Sequence, residues 1–189
     1  MKSTMKFRQH DSSEIETITQ LFTQTFTDSE GENEGKTVGK LANDLLTTTA
    51  PAELLCFVAE EDSSESDTDS TIVGAIIFTP LSFDDETKAC LLSPVAVSTQ
   101  VQKRGIGQQL INFGLQTLKE QGVELAVTYG DHSYYSRVGF EQITVEQIPA
   151  PFELSYSHGW IAQSLTGGEI KVASEQSSCV EALAHAEYW

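Results

Sequence analysis

Apolar residues recur along this chain in two rhythms, a spacing of three to four and short unbroken runs, and their alternation predicts helices interleaved with strands. Met5 to Gln9 reads as a first strand. Asp11 and Ser12 offer a helix N-cap, and Ile15, Ile18, Leu21, Phe22 and Phe26 then repeat at helical spacing through Phe26. A polar, glycine-bearing segment, Asp28 to Gly35, separates this helix from a second at Thr37–Leu46, which carries Val38, Leu41, Leu45 and Leu46 on one side. Strands follow at Leu54–Glu60, Ile72–Pro80 and Thr87–Val97. Gly74 marks a bulge or close approach, and Pro94 interrupts the last of them. Residues 61–70 are acids, serines and one threonine, which predicts a solvated connection. A calcium loop would need a central Gly and a terminal Glu, both missing here.

A substantially buried helix is expected from Gly105 to Gln121, with Ile106, Leu110, Ile111, Phe113, Leu115 and Leu118 covering more than one face and Gly122 ending it. Val123–Thr128 reads as a buried strand, Ser133–Val138 as a single helical turn and Phe140–Val145 as a further strand. After Pro149 and Pro151 the pattern predicts strands at Trp160–Leu165 and Ile170–Ala173 and a terminal helix at Val180–Tyr188. No repeat or linker divides the 189 residues, so a single domain over 1–189 is expected, of the α/β or α+β class around a mixed sheet.

Composition narrows the function classes. Eleven Lys and Arg stand against 28 Asp and Glu, a formal charge of −17. Such a chain repels nucleic acid and anionic membrane, and its acidity reads first as a solubilising surface. No apolar run reaches the ~20 residues of a membrane span, and Met1 to Lys6 lack a signal-peptide core. Cys56, Cys90 and Cys179 form no CxxC pair and suit a reducing compartment, which predicts a cytoplasmic protein without a metal site.

Two segments carry chemistry. In the first, Leu91-Leu-Ser-Pro-Val-Ala-Val97 runs into Gln102-Lys-Arg-Gly-Ile-Gly-Gln108. A strand enters a glycine turn, and the unpaired N–H groups of the following helix, with the positive end of its dipole behind them, suit a pyrophosphate. Lys103 and Arg104 add charge where the chain is otherwise acidic. The turn is not a P-loop, because GxxxxGK[ST] is absent. It is not a dinucleotide fingerprint either, because Leu stands at position 110 where a third Gly is needed. The second segment is Gly130-Asp-His-Ser-Tyr-Tyr-Ser-Arg-Val-Gly-Phe140, one strand later.

In this order the two segments resemble the GNAT superfamily of N-acetyltransferases. V-x-V followed by Q-x-x-G-x-G resembles its acetyl-CoA motif, and Tyr135, four residues before Gly139, resembles its Y-x-x-x-G-F motif. The form G-D-x-x-Y-Y-x-R-x-G-F resembles a bacterial branch of predicted acetyltransferases. The likeness covers roughly residues 5–145, an acetyltransferase core to which 146–189 would be a C-terminal extension.

The resemblance implies a mostly antiparallel central sheet flanked by helices and acetyl-CoA as co-substrate, with no metal. Val95, Ala96 and Val97 would offer backbone groups to the pantetheine arm, and the Val97 N–H would polarise the thioester carbonyl. Gln102, Lys103, Arg104, Gly105, Ile106, Gly107 and Gln108 would hold the pyrophosphate. Tyr135 would act as general acid toward the departing thiolate, since a phenol is protonated at neutral pH. Pro94 marks the place where its strand would loosen from a neighbour.

The partner would be an amine-bearing acceptor, of a cationic kind if Asp28, Glu30, Glu32 and Glu34 attract it, and a homodimer is expected from the family. The other readings are a non-catalytic acyl-CoA sensor of the same fold and a nucleotide-binding α/β domain. Trp160, and with it Tyr156, reads as core packing before acceptor contact. His10, His158, His185 and Cys90 read as structural.

Overall fold

A computed structural model describes residues 4–62 and 70–189. The solvated connection expected at 61–70 falls largely on 63–69, outside the described residues. The elements are β1 (Met5–Gln9), α1 (Ile15–Glu30), α2 (Glu32–Thr48), β2 (Leu55–Asp62), β3 (Ser70–Phe83), β4 (Ala89–Val97), α3 (Ile106–Glu120), β5 (Leu125–Tyr129), α4 (His132–Tyr135), β6 (Glu141–Gln142), β7 (Trp160–Ser164) and β8 (Ser177–Ser178), joined by short 3-10 turns. Hydrogen-bonded neighbours run β1-β2-β3-β4-β5-β7-β6, with β8 pairing β3. β4–β5 is parallel, while β1–β2, β3–β8, β5–β7 and β6–β7 are antiparallel. The architecture is a mixed, mostly antiparallel sheet flanked by helices, as the sequence implied.

The chain divides into two compact units. The first comprises Met1–Thr48, Leu55–Ile77 and Pro94–Gly114. Here β1 pairs with β2 from Met5↔Glu61 to Gln9↔Phe57. Arg8 bonds Glu14 at 2.6 Å and Glu60 at 3.0 Å, and the bond from Arg8 together with that from Ser70 draws the Glu60 carboxyl down to about 2. Asp11 caps the chain's turn into α1 as expected. Its carboxylate accepts from the Ser13 N–H at 2.9 Å, and Glu14 reaches back to the Asp11 N–H at 2.7 Å.

The polar segment at Asp28–Gly35 is not the connection that its composition predicts. α1 continues to Glu30, Gly31 alone breaks the helix at φ +100°, and α2 begins at Glu32. Glu32 and Glu34 sit in the first turn of α2, where the helix dipole favours them. Gly35 is a packing residue rather than a breaker. A Cβ there would come within 2.6 Å of the Thr23 carbonyl and collide with the Thr27 hydroxyl. Gly39, one turn on, meets Thr23 in the same way. The two glycines let α2 lie backbone-close to α1.

The second unit comprises Thr49–Leu54, Phe78–Ser93 and Leu115–Trp189. Its β4–β5 ladder runs from Ala89↔Leu125 to Leu92↔Thr128, and β5 pairs with β7 from Leu125↔Ser164 to Tyr129↔Trp160. Gly122 ends α3 in the left-handed region at φ +81°. Trp160 is fully buried and gives its indole N–H to the Ile148 carbonyl at 2.8 Å.

Three expected elements differ here. The strand expected at Phe140–Val145 shrinks to Glu141–Gln142, because the Gln147 and Ile148 N–H groups both turn back to the Thr144 carbonyl at 3.1 Å. Ile170–Ala173 is not a strand; Val172 and Ala173 are each pinned by a single bond, to the Gln147 carbonyl and the Asp85 carboxylate. The expected terminal helix is two 3-10 turns, Glu181–Leu183 and Ala186–Tyr188, separated by extended His185. The break lets Trp189 stack on Tyr129 and Phe152, with ring centroids 6.4 and 6.2 Å apart.

Candidate functional site

The first unit builds the turn that leads from β4 into α3. β4 ends at Val97, and the Ser98 N–H bonds the Val73 carbonyl at 2.7 Å, fixing where the turn departs. A β-turn follows, closed by the Val101 N–H on the Ser98 carbonyl at 3.0 Å. Lys103 and Gly105 then both take left-handed backbone, at φ +64° and +75°. That conformation is free for glycine and strained for lysine. The Gln109 N–H makes a helical bond to the Gly105 carbonyl at 3.1 Å. The N–H groups of Gly105, Ile106, Gly107 and Gln108 therefore precede the helical ladder, as the first donors of any helix do. Ile106 and Gly107 are buried, while Gln102, Lys103, Arg104 and Gly105 are exposed. The arrangement supplies peptide donors, a positive helix end and a lysine with no ion pair among the described residues. It can take a phosphate or a diphosphate.

Side chains brace the turn. The Gln102 side-chain amide donates to the Val97 carbonyl at 2.9 Å, closing the turn on its own strand. Arg104 pairs with Glu61 of β2 at 2.8 Å. Thr99 gives its hydroxyl proton to the Asp28 carboxylate at 2.7 Å. Sequence reasoning placed Asp28 with an acceptor and Glu61 in a solvated connection, whereas Glu61 belongs to β2. Both partners lie far away along the chain, so no local pattern carries the signal.

Val95, Ala96 and Val97 form the end of β4, with Ala96 buried and its neighbours half-buried. Gly74 of β3 neighbours this segment; a Cβ there would stand 3.5 Å from the Ala96 carbonyl, an ordinary contact, and 3.3 Å from the Ala59 Cβ of β2, the tightest of its neighbours.

The second unit positions Tyr135. Asp131 caps α4 by accepting from the Ser133 N–H at 2.8 Å, and Gly139, left-handed at φ +94°, closes the following 3-10 turn. The Tyr135 ring lies on the backbone of Gly130, where a Cβ would come within 2.8 Å of the ring edge. Tyr134 and Phe140 meet it edge-on at 5.1 and 5.7 Å. Burial pushes the Tyr135 phenol above its ordinary range, neighbouring Tyr134 adds to this, and the Thr128 hydroxyl works against it. The phenol therefore stays protonated across the neutral range, as a weaker acid than a free tyrosine.

Thr128 itself is buried and donates to the Leu92 carbonyl at 2.7 Å, at the last rung of the β4–β5 ladder. Pro94 follows two residues beyond that rung. Of the two aromatic residues considered for an acceptor pocket, Trp160 belongs to the core and also floors a groove of about 440 Å³ with Thr144, Glu146 and His158. Tyr156, by contrast, is 61% exposed and meets His158 edge-on, so it is not core packing.

Comparison with known proteins gives a consistent result. A family model described as an acetyltransferase (GNAT) domain matches residues 52–142. The chain is similar to the "uncharacterized N-acetyltransferase" YjhQ of Escherichia coli K12, at 36% identity over 100 residues, 50% of this chain and 55% of that one. It is also similar to the E. coli K12 "uncharacterized N-acetyltransferase" YhbS, at 34% identity over 77 residues, 40% and 46% of the two chains. It thus spans about half the length of the curated relatives it matches.

Among solved structures, YhbS from E. coli in complex with CoA superposes with a TM-score of 0.77 at 22% identity, covering 98% of this chain and 94% of that one. A GNAT family acetyltransferase from Brucella melitensis in complex with acetyl-CoA superposes with a TM-score of 0.71 at 25% identity, covering 95% and 98%.

Proposed function

We propose that this chain, similar to GNAT acetyltransferases in sequence and fold, is a member of that superfamily and transfers the acetyl group of acetyl-CoA to a primary amine of a small molecule or a protein. The observation that carries this is the turn into α3, where left-handed Lys103 and Gly105 precede the helix's first N–H groups, the kind of helix start that suits an anion. Two structural neighbours were solved with CoA or acetyl-CoA, which supports the diphosphate of that molecule as the anion.

In this reading Gln102 to Gln108 hold the pyrophosphate and Val95 to Val97 offer their backbone to the pantetheine arm, with the Val97 N–H polarising the thioester carbonyl. The thioester is already activated, so the protein has to position the amine, accept its proton and stabilise the leaving sulfur. The amine nitrogen bonds to the acetyl carbon, the carbon–sulfur bond breaks, and Tyr135 gives its phenolic proton to the sulfur. The proton lost by the nitrogen passes to water or a carboxylate. A cytoplasmic homodimer that binds no nucleic acid fits the same reading, and the charge of −17 supports the last point.

CoA and acetyl-CoA should raise the melting temperature, whereas NAD and ATP at matched concentration should not. No shift with any CoA ester overturns the proposal. A panel of amines followed by thiol release then tests catalysis. Binding without release from any amine would assign the fold's other role, an acyl-CoA sensor.

A further inference from the structure

The phosphate-binding turn is held by a carboxylate that repels the anion it is built to bind. Asp28 stands in the last turn of α1, and both of its oxygens are engaged. One accepts from the Gln24 side-chain amide at 2.6 Å, one helical turn back, and the other accepts the Thr99 hydroxyl at 2.7 Å. Thr99 lies inside the β-turn that opens the loop, between the Ser98 and Val101 groups that close it. Gln24, Asp28 and Thr99 thus form a strut from the end of α1 to the start of the turn. All three belong to the first unit.

Without such a role, the net effect of this carboxylate on a bound diphosphate is Coulombic repulsion. With it, the carboxylate orders a loop that must hold a strained lysine and a left-handed glycine before any ligand arrives. Ordering a loop in advance lowers the entropy lost on binding.

We propose that Asp28, acting through Thr99, is a positioning residue for the cofactor's diphosphate, and that its charge serves the cofactor rather than the acceptor amine. The inference rests on the acetyl-CoA reading of the turn. It makes α1 part of the cofactor machinery although no residue of α1 needs to touch the cofactor.

The two roles predict opposite signs. If Asp28 only repels anions, Asp28→Ala tightens CoA binding. If it positions the turn, Asp28→Ala and Thr99→Val each weaken CoA binding by about fivefold, and the double variant is no weaker than either single one. Thr99→Ser, which keeps the hydroxyl, retains wild-type affinity.

The measurement is titration calorimetry of the full chain with CoA, with the melting temperature of each unliganded variant recorded alongside. Because Asp28 and Thr99 are exposed, those melting temperatures should stay close to wild type. Tighter or unchanged binding in Asp28→Ala, or additive losses in the double variant, overturns the proposal while leaving the acetyl-CoA reading intact. A wild-type protein that does not bind CoA removes both.

Discussion

The turn after β4 and the turn after β5 each carry a group proposed to act on the same co-substrate, and they hold it by opposite means. Between Ser98 and Gly105 the chain is largely exposed, two of its residues are left-handed, and its fixings to other elements are polar: Thr99 to Asp28 and Arg104 to Glu61. Around Tyr135 the fixings are steric and aromatic: the bare backbone of Gly130 beneath the ring, with Tyr134 and Phe140 at its edges. An anion is recognised by N–H groups and field, so torsion and charge govern the first turn. A proton donor must sit in one place within reach of the atom it protonates, so shape governs the second.

The largest expected effect lies at the second turn. Tyr135→Phe should lower turnover by about 10²-fold or more while leaving acetyl-CoA affinity within about twofold, because only the proton is removed. Thiol release and calorimetry on the same preparation measure the two quantities, and equal losses in both would take the acid role away from Tyr135.

A pair of glycine substitutions sharpens the contrast. Gly130→Ala drives a Cβ against the Tyr135 ring, so turnover should fall by about tenfold with cofactor affinity preserved. Gly105→Ala meets no close neighbour, the nearest atom being 3.7 Å away on Gln109, but it forces alanine to φ +75°. That costs about 1–2 kcal/mol, and the expected signature is weaker CoA binding with turnover at saturation retained. If the two substitutions gave the same signature, the division of labour would not hold.

Salt should produce the smallest effect, confined to the first turn. CoA is an anion entering a protein of formal charge −17, and Asp28 and Glu61 offset Lys103 and Arg104 locally. Raising KCl from about 0.05 M to about 0.5 M should therefore tighten CoA binding by about twofold through screening of the long-range repulsion. Weaker binding at high salt would mean that the two basic residues dominate.

The same contrast explains how much was legible in the sequence. Signals written within one turn of chain were read correctly: the Asp11 cap, the Gly122 stop and the glycine turn at Gly105. Gly31 and Gly35 look alike in composition, yet one breaks a helix and the other lets two helices touch. Only the neighbouring helix tells them apart. The anchoring of the turn before α3 to Asp28 and Glu61 joins residues 71 and 43 positions apart, so no periodicity announces it. After Pro149 the strand expected at Trp160–Leu165 is present as β7, where the ladder with β5 fixes it. Beyond β7 the chain is held largely by single bonds and ring stacking, and a pattern-based reading therefore assigned it a strand at Ile170–Ala173 and a terminal helix that are absent.

The glycine pair in α2 has a consequence for how the fold opens. With Gly35 and Gly39 seated on Thr23 and Thr27, neither helix can separate from the other without exposing the whole of their shared face. The backbone amides of α1 and α2 should then exchange with deuterium as one cooperative group, with a common denaturant dependence, instead of fraying from their separate ends. A single alanine at Gly35 would split that group in two. The exchange rates of the last turn of α1 would report it first, on the turn that carries Asp28.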